Sequence, residues 1–132
     1  MHFDFLIPKR PVSLQTRKTA NLQSWKQYVR SEAAKTWKGQ IFSGKDIQLT
    51  LIYLCNSDPV DTDNIIKPIQ DALIGLIYDD DLLIADIDSH RRSLSGTFDL
   101  TLCPILLVQG ITSGLECVYV RVAESKSLED YL

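Results

Sequence analysis

Asp61 and Asp63 stand two residues apart, just beyond the apolar run Ile47–Leu54 and the polar Asn56-Ser57-Asp58-Pro59 that follows it. If the segment stays extended, both carboxylates point to one side of the chain, where they repel each other. A divalent cation removes that repulsion by binding both groups. Hard oxygen donors favour Mg2+, with Mn2+ as a possible substitute, over zinc or copper. Lys67 follows Asp63 by four residues and Asp71 follows Lys67 by four, so on a helix the three share a face. A further acidic group, Asp79-Asp80-Asp81, completes a metal site if the chain after that helix returns beside the first pair. Each part also has an ordinary role: Asp63 or Asn64 as a helix cap, Lys67 with Asp71 as a surface ion pair, and Asp79–Asp81 as a solvated turn.

The charge distribution sets this cluster apart. The net charge of the 132 residues is −3, unpromising for a nucleic-acid partner until it is resolved along the chain. Residues 1–45 carry nine Lys or Arg against Asp4 and Glu32, whereas residues 46–86 carry nine Asp against Lys67 alone. A basic arm therefore precedes an acidic centre. On its own the basic segment reads equally as a solvated helix face.

Several elements must position these groups. Phe3–Ile7 reads as a short strand, followed by an irregular Pro8–Ala20 that carries Lys9, Arg10, Arg17 and Lys18. Asn21 is placed to cap a helix over about Leu22–Lys38, with Leu22, Trp25, Val29, Ala33 and Trp37 at helical spacing and Gly39 to stop it. Ile47–Leu54 predicts a strand covered on both faces at its end. From Ile65 the apolar positions Ile66, Ile69, Ala72, Leu73, Leu76 and Ile77 trace one helix face, with Pro68 tolerated near the first turn. Leu82–Ile87, extending toward Arg92, predicts a strand that Ser95-Gly96 turns into a second, Thr97–Cys103, giving a hairpin. Cys117–Ala123 alternates as a last strand, and Glu124–Leu132 reads as an exposed helix or a disordered tail. The expectation is one α+β domain over residues 1–132, a mixed sheet packed with two main helices. Its core spans about 3–103, and 104–132 carries the weaker signal.

Cys55, Cys103 and Cys117 are odd in number and lack CxxC spacing, which excludes a disulfide framework and a zinc site and fits a reducing cytoplasm. Phe3–Ile7 is too short for a signal-peptide core or a membrane span, so a soluble protein with no membrane partner is expected.

The stretch Asp61–Leu73 fits D-x-D-N-x-x-K-x-x-x-D-A-L, and Asp79–Asp81 follows a few residues later. Together with the opening Ile7-Pro8-Lys9-Arg10-Pro11-Val12-Ser13, this resembles the RusA family of Holliday junction resolvases over roughly Phe3–Leu102. Members of that family are small, largely phage-borne, dimeric, magnesium-dependent crossover junction endodeoxyribonucleases. The resemblance implies that Asp61, Asp63 and Asp81 are the metal-binding carboxylates and that Lys67 is the catalytic lysine, with Asp80 a rival to Asp81. It also implies that Asp71 and Asp80 support the first set. Metal-activated water would then cleave a phosphodiester bond of branched DNA, Lys67 would stabilise the developing charge, and a two-fold homodimer would cut both strands symmetrically. Lys9, Arg10, Arg17 and Lys18 are the expected phosphate contacts. His90, with Arg91 and Arg92, stays outside the catalytic set. Two other readings remain: an inactive module that binds branched DNA, and a metal-stabilised protein-interaction domain.

Overall fold

A computed structural model describes residues 2–132. Four strands, β1 (His2–Ile7), β2 (Ile47–Cys55), β3 (Ile84–Ser93) and β4 (Cys117–Glu124), are interleaved with three helices, α1 (Thr19–Ala34), α2 (Thr62–Ala72) and α3 (Ile105–Ser113). The strands form one mixed sheet in the order β1-β4-β2-β3. β4 runs antiparallel to both β1 and β2, while β3 runs parallel to β2. A parallel neighbour needs a crossover connection, and α2 supplies it. The fold is α+β, as expected, with one helix more than the sequence suggests.

Alternation along β2 divides the core in two. Leu49, Leu51 and Tyr53 face α1 and α2 in the main cluster with Trp25, Val29, Ile65, Ile69 and Leu73. Leu54, with Ile52 beside it, packs on the other face with Leu107, Cys117 and Tyr119 beneath α3. The end of β2 is thus covered on both sides, and Tyr53, Leu54 and Cys55 are all buried. α3 lies close to the sheet because Gly110 faces it; a Cβ there would stand 3.0 Å from Cys117 Sγ.

Several expectations change. α1 begins at Thr19 behind Lys18, three residues before Asn21. It also stops at Ala34, because Trp37 must turn inward to meet the Phe3 ring at 4.8 Å and stack on Phe42. Gly39 then lies against that indole, where a Cβ would be 2.8 Å from the ring. The hairpin after Asp81 does not form. β3 pairs with β2, and Leu100–Leu102 is a 3-10 turn capped by the Asp99 side chain. Leu94, Phe98 and Cys103 turn inward against the second core cluster instead of extending a ladder. The region beyond Pro104 is integral to the fold, since β4 occupies an interior position in the sheet. The tail forms an exposed 3-10 turn, Leu128–Tyr131, fastened by the Tyr131 hydroxyl donating to Gln48 at 3.0 Å.

Pro68 lies in the body of α2, not at its first turn. A proline there cannot donate to the carbonyl four residues back, which is Asn64. Leu14 N–H, from the N-terminal segment, donates to the Asn64 carbonyl at 2.9 Å instead. The segment bearing the basic residues is thereby tied to the helix bearing the acidic ones.

Candidate active site

Asp61, Asp63, Lys67 and Asp71 all belong to the start and body of α2. Asp61 is the N-cap residue, extended at φ −62 and ψ 137, and its side chain makes no capping hydrogen bond; Asp63 lies in the first helical turn. The helix therefore begins between the two aspartates, and the expected extended Asp61-Thr62-Asp63 with both carboxylates on one side is replaced by a cap and a first-turn position. The N-cap is Asp61, neither Asp63 nor Asn64. The positive end of the helix dipole favours both carboxylates there. Both are exposed, and among the described residues no salt bridge reaches either of them.

Lys67 and Asp81 do come together. Lys67 Nζ lies 2.9 Å from Asp71 Oδ1 and 3.1 Å from Asp81 Oδ2, and Gln70 Nε2 donates to the same Asp81 oxygen at 3.4 Å. Hydrogen bonds to Asp71 and then Asp81 hold the Lys67 ammonium above its ordinary pKa. The Lys67 hydrogen bond, followed by one with Asp80, holds the Asp81 carboxyl below the usual range. The chain reaches this point because Phe42 N–H donates to the Ile77 carbonyl and Asp79 N–H to the Phe42 carbonyl, at 2.8 and 3.2 Å. The buried Tyr78 hydroxyl also donates to the Gln70 carbonyl, and desolvation raises its pKa. Asp80 accepts from Leu82 N–H at 3.0 Å, capping the 3-10 turn, and makes no contact with Lys67 or Gln70 among the hydrogen bonds of the described residues. Of the two rivals, Asp81 is therefore the one that faces α2. Asp71 braces Lys67 as expected and is approached from α1 by Lys26 at 3.6 Å.

The donor chemistry suits a hard cation, because every candidate ligand is a carboxylate. The grouping is incomplete: no three His, Cys, Asp or Glu among the described residues are arranged to hold a metal ion. Asp61 and Asp63 stand unpaired at the helix end, while Asp81 is engaged by Lys67. Asp61, Asp63 and Asp81 are thus of the donor type such a cation takes, but they are not gathered into one site in this structure.

The basic segment divides. Lys9, Arg17 and Lys18 are exposed, with Lys9 Nζ 4.9 Å above the Tyr28 ring. Arg10, expected among the phosphate contacts, stays about half exposed but is engaged by partners within the chain. Its guanidinium pairs with Glu116 at 3.0 Å and donates to the Asp58 carbonyl at 2.8 Å. Glu116, whose side chain is only 8% exposed, also accepts from Asn56 N–H at 2.8 Å and from the Tyr53 hydroxyl at 3.3 Å. This carboxylate fastens the loop between β2 and Asp61, a role nothing near it in sequence signals, since Arg10 is 106 positions away. Arg30, one of the nine basic residues of the first 45, also has a structural role. It donates to the Ala72 and Ile74 carbonyls at 3.2 and 2.7 Å, closing the carboxyl end of α2. His90 and Arg92 line a separate depression of about 310 Å3 with Ile52, Leu54, Phe98 and Leu107.

Among curated proteins none matches this sequence. A family model does: the one described as Endodeoxyribonuclease RusA matches residues 8–96. That span contains the aspartates at the start of α2, Lys67, Asp81 and most of the basic segment, and the family's members are Holliday junction nucleases. Carrying this match over two thirds of its length, the chain belongs to the RusA endodeoxyribonuclease family.

Proposed function

We propose that this protein is a Mg2+-dependent, dimeric nuclease that resolves Holliday junctions and related branched DNA by hydrolysing phosphodiester bonds, with Asp61, Asp63, Lys67 and Asp81 as its catalytic residues. The observation that carries the reading is the bridge from Lys67 to Asp81. It joins the helix that begins with two unpaired aspartates to Asp81, one of the two later carboxylates, with Asp80, that the family motif offers. Asp61, Asp63 and Asp81 would hold the cation, Asp81 being the one that Lys67 engages here. When bound, Mg2+ supplies Lewis acidity toward a phosphoryl oxygen and lowers the pKa of water. Lys67, released from Asp81 but still braced by Asp71, turns its ammonium to the scissile phosphate and stabilises charge that grows in the transition state. Asp80 keeps the turn that presents Asp81. Lys9, Arg17 and Lys18 hold the phosphates of a DNA arm outside the acidic site, which gives affinity without sequence preference. A two-fold dimer suits a substrate with two-fold symmetry, because it presents a site to each of two opposed strands.

The test incubates the protein and its Asp63→Asn variant with an end-labelled four-way junction and a matched linear duplex, in Mg2+ and in EDTA. Paired symmetric nicks made in the junction only by the unmodified protein with Mg2+ are the expected result. A junction bound but uncut under every condition would replace the enzyme with a binding module.

A further inference from the structure

β3 is the longest strand, with ten residues, and lies at the margin of the sheet. It pairs with β2 on one side, and among the described residues no strand pairs with it on the other. An open edge of that length is a template for another strand. Proteins commonly guard such edges with scattered charge, but the charges on β3 are sorted by sign. Asp86 and Asp88 occupy the first half, and His90, Arg91 and Arg92 the second. Asp86, Asp88, His90 and Arg92 lie opposite Gln48, Thr50, Ile52 and Leu54 of β2, so all four side chains project from the same face of the sheet.

Resting on the dimer in the proposed function and naming its surface, we infer that β3 pairs antiparallel with β3 of a second copy, about a two-fold axis at Ser89. The register follows from the charges. With Ser89 opposite itself, Asp88 meets His90 of the second copy and Asp86 meets Arg92 of the second copy, each contact occurring twice by symmetry. Opposite charges directly across a strand pair are favourable and like charges unfavourable. A parallel arrangement in register would set Asp against Asp and Arg against Arg, so the sorted charges select the antiparallel one. Within one chain His90 already lies 3.0 Å from Asp88, so the second copy adds a second carboxylate to the same imidazole. The residue at the axis is small, and its Oγ, screened from solvent, has no hydrogen-bond partner among the described residues. Half-exposed Ile87 beside it is covered when the edges meet. The product is one continuous sheet of eight strands.

The test is a charge swap read by sedimentation equilibrium. Asp86→Arg and Arg92→Asp should each raise the dimer Kd at least about tenfold, since each change places like charges opposite one another at two symmetric positions. The double variant restores both pairs with inverted sign and should return to within about threefold of the original. Independently, Ser89→Cys in a Cys103→Ser background should form a disulfide-linked dimer under mild oxidation, because facing Cα atoms in an antiparallel pair fall within disulfide reach. Thermal melts confirm that the variants fold. A dimer indifferent to both single changes, with no cross-link at Ser89, overturns the β3 pairing and leaves the dimeric nuclease standing on another surface. A protein monomeric at about 100 µM overturns the pairing and the dimer together, while metal-dependent cleavage is judged separately by the junction assay.

Discussion

Lys67 holds two carboxylates at once, and the proposed cation site needs one of them. If Asp81 completes the cation site, Lys67 competes for it until the cation arrives. Replacing Lys67 with Ala should tighten Mg2+ binding, measured by calorimetry, while lowering the single-turnover cleavage rate by about 10²–10³-fold, the usual loss for a removed transition-state donor. Weaker Mg2+ binding in that variant would show that the lysine supports the site instead of competing for it. The pair also has a pH signature. Asp81 is held below the ordinary carboxylate range, so its contribution to stability is complete above its unfolded pKa and disappears as pH falls through the depressed folded value. Plotted against pH, the melting temperature of Asp81→Asn should therefore decline less steeply on the acid side than that of the unmodified protein. Glu116 presents a different case, being almost buried and accepting from three residues. Glu116→Ala should cost about 2 kcal/mol in urea denaturation, since it strands Asn56 N–H and the Tyr53 hydroxyl, and half of Arg10 is already solvated.

Among the elements, α2 shows how much of a site follows from one sequence stretch. Its face of Ile65, Ile69, Ala72 and Leu73 is buried as periodicity predicts, and that alone sets Asp63, Lys67 and Asp71 along the opposite side. Periodicity does not say that Pro68 releases the Asn64 carbonyl to Leu14. Pro68→Ala restores an N–H that competes for this acceptor. In that variant the Leu14 amide should exchange faster with deuterium than in the unmodified protein, without global unfolding; unchanged exchange would mean that the helix ignores the new donor. The elements that were misread share a physical cause. α3 begins Ile105-Leu106-Leu107-Val108 and is apolar on nearly every side, so no contrast separates helix from strand. β3 reads correctly as a strand, but its partner is set by the α2 crossover, not by the turn that follows it. The break between Asp61 and Asp63 was hidden for a related reason, because an aspartate serves as N-cap as readily as it serves in an extended segment.

At the scale of the whole molecule, the basic arm counts for less than its charge implies. Arg10, though half exposed, is paired with Glu116 and the Asp58 carbonyl, and Arg30 with the end of α2, which leaves Lys9, Arg17 and Lys18, of the N-terminal segment named for DNA, without a salt bridge among the described residues. Removing Arg17 or Lys18 should reduce the slope of log affinity against log salt by about one for each charge. Arg10→Gln should lower stability and leave that slope unchanged, and a slope change in Arg10→Gln would return Arg10 to the DNA-binding set. Composition could rank the segment as basic, but it could not tell a charge facing solvent from one whose partner lies 106 positions away.

The position of β4 has a consequence for how the chain acquires its structure. The strand that separates β1 from β2 is the last of the four to be synthesised, and it joins residues far apart in sequence, as in the Tyr119 hydroxyl donating to Asp4 at 2.8 Å across 115 positions. Until Cys117–Glu124 is available, β1 has no neighbour and β2 has one open side, so the span matched by the family model, residues 8–96, contains neither β1 nor β4 and cannot close the sheet. Closing the sheet must therefore await the emergence of Cys117–Glu124 and proceed through contacts of long sequence separation, which are slow to form. During that interval the nascent chain exposes one unpaired strand, β1, and an open edge on β2, and it is then, more than after folding, that aggregation competes with completing the sheet.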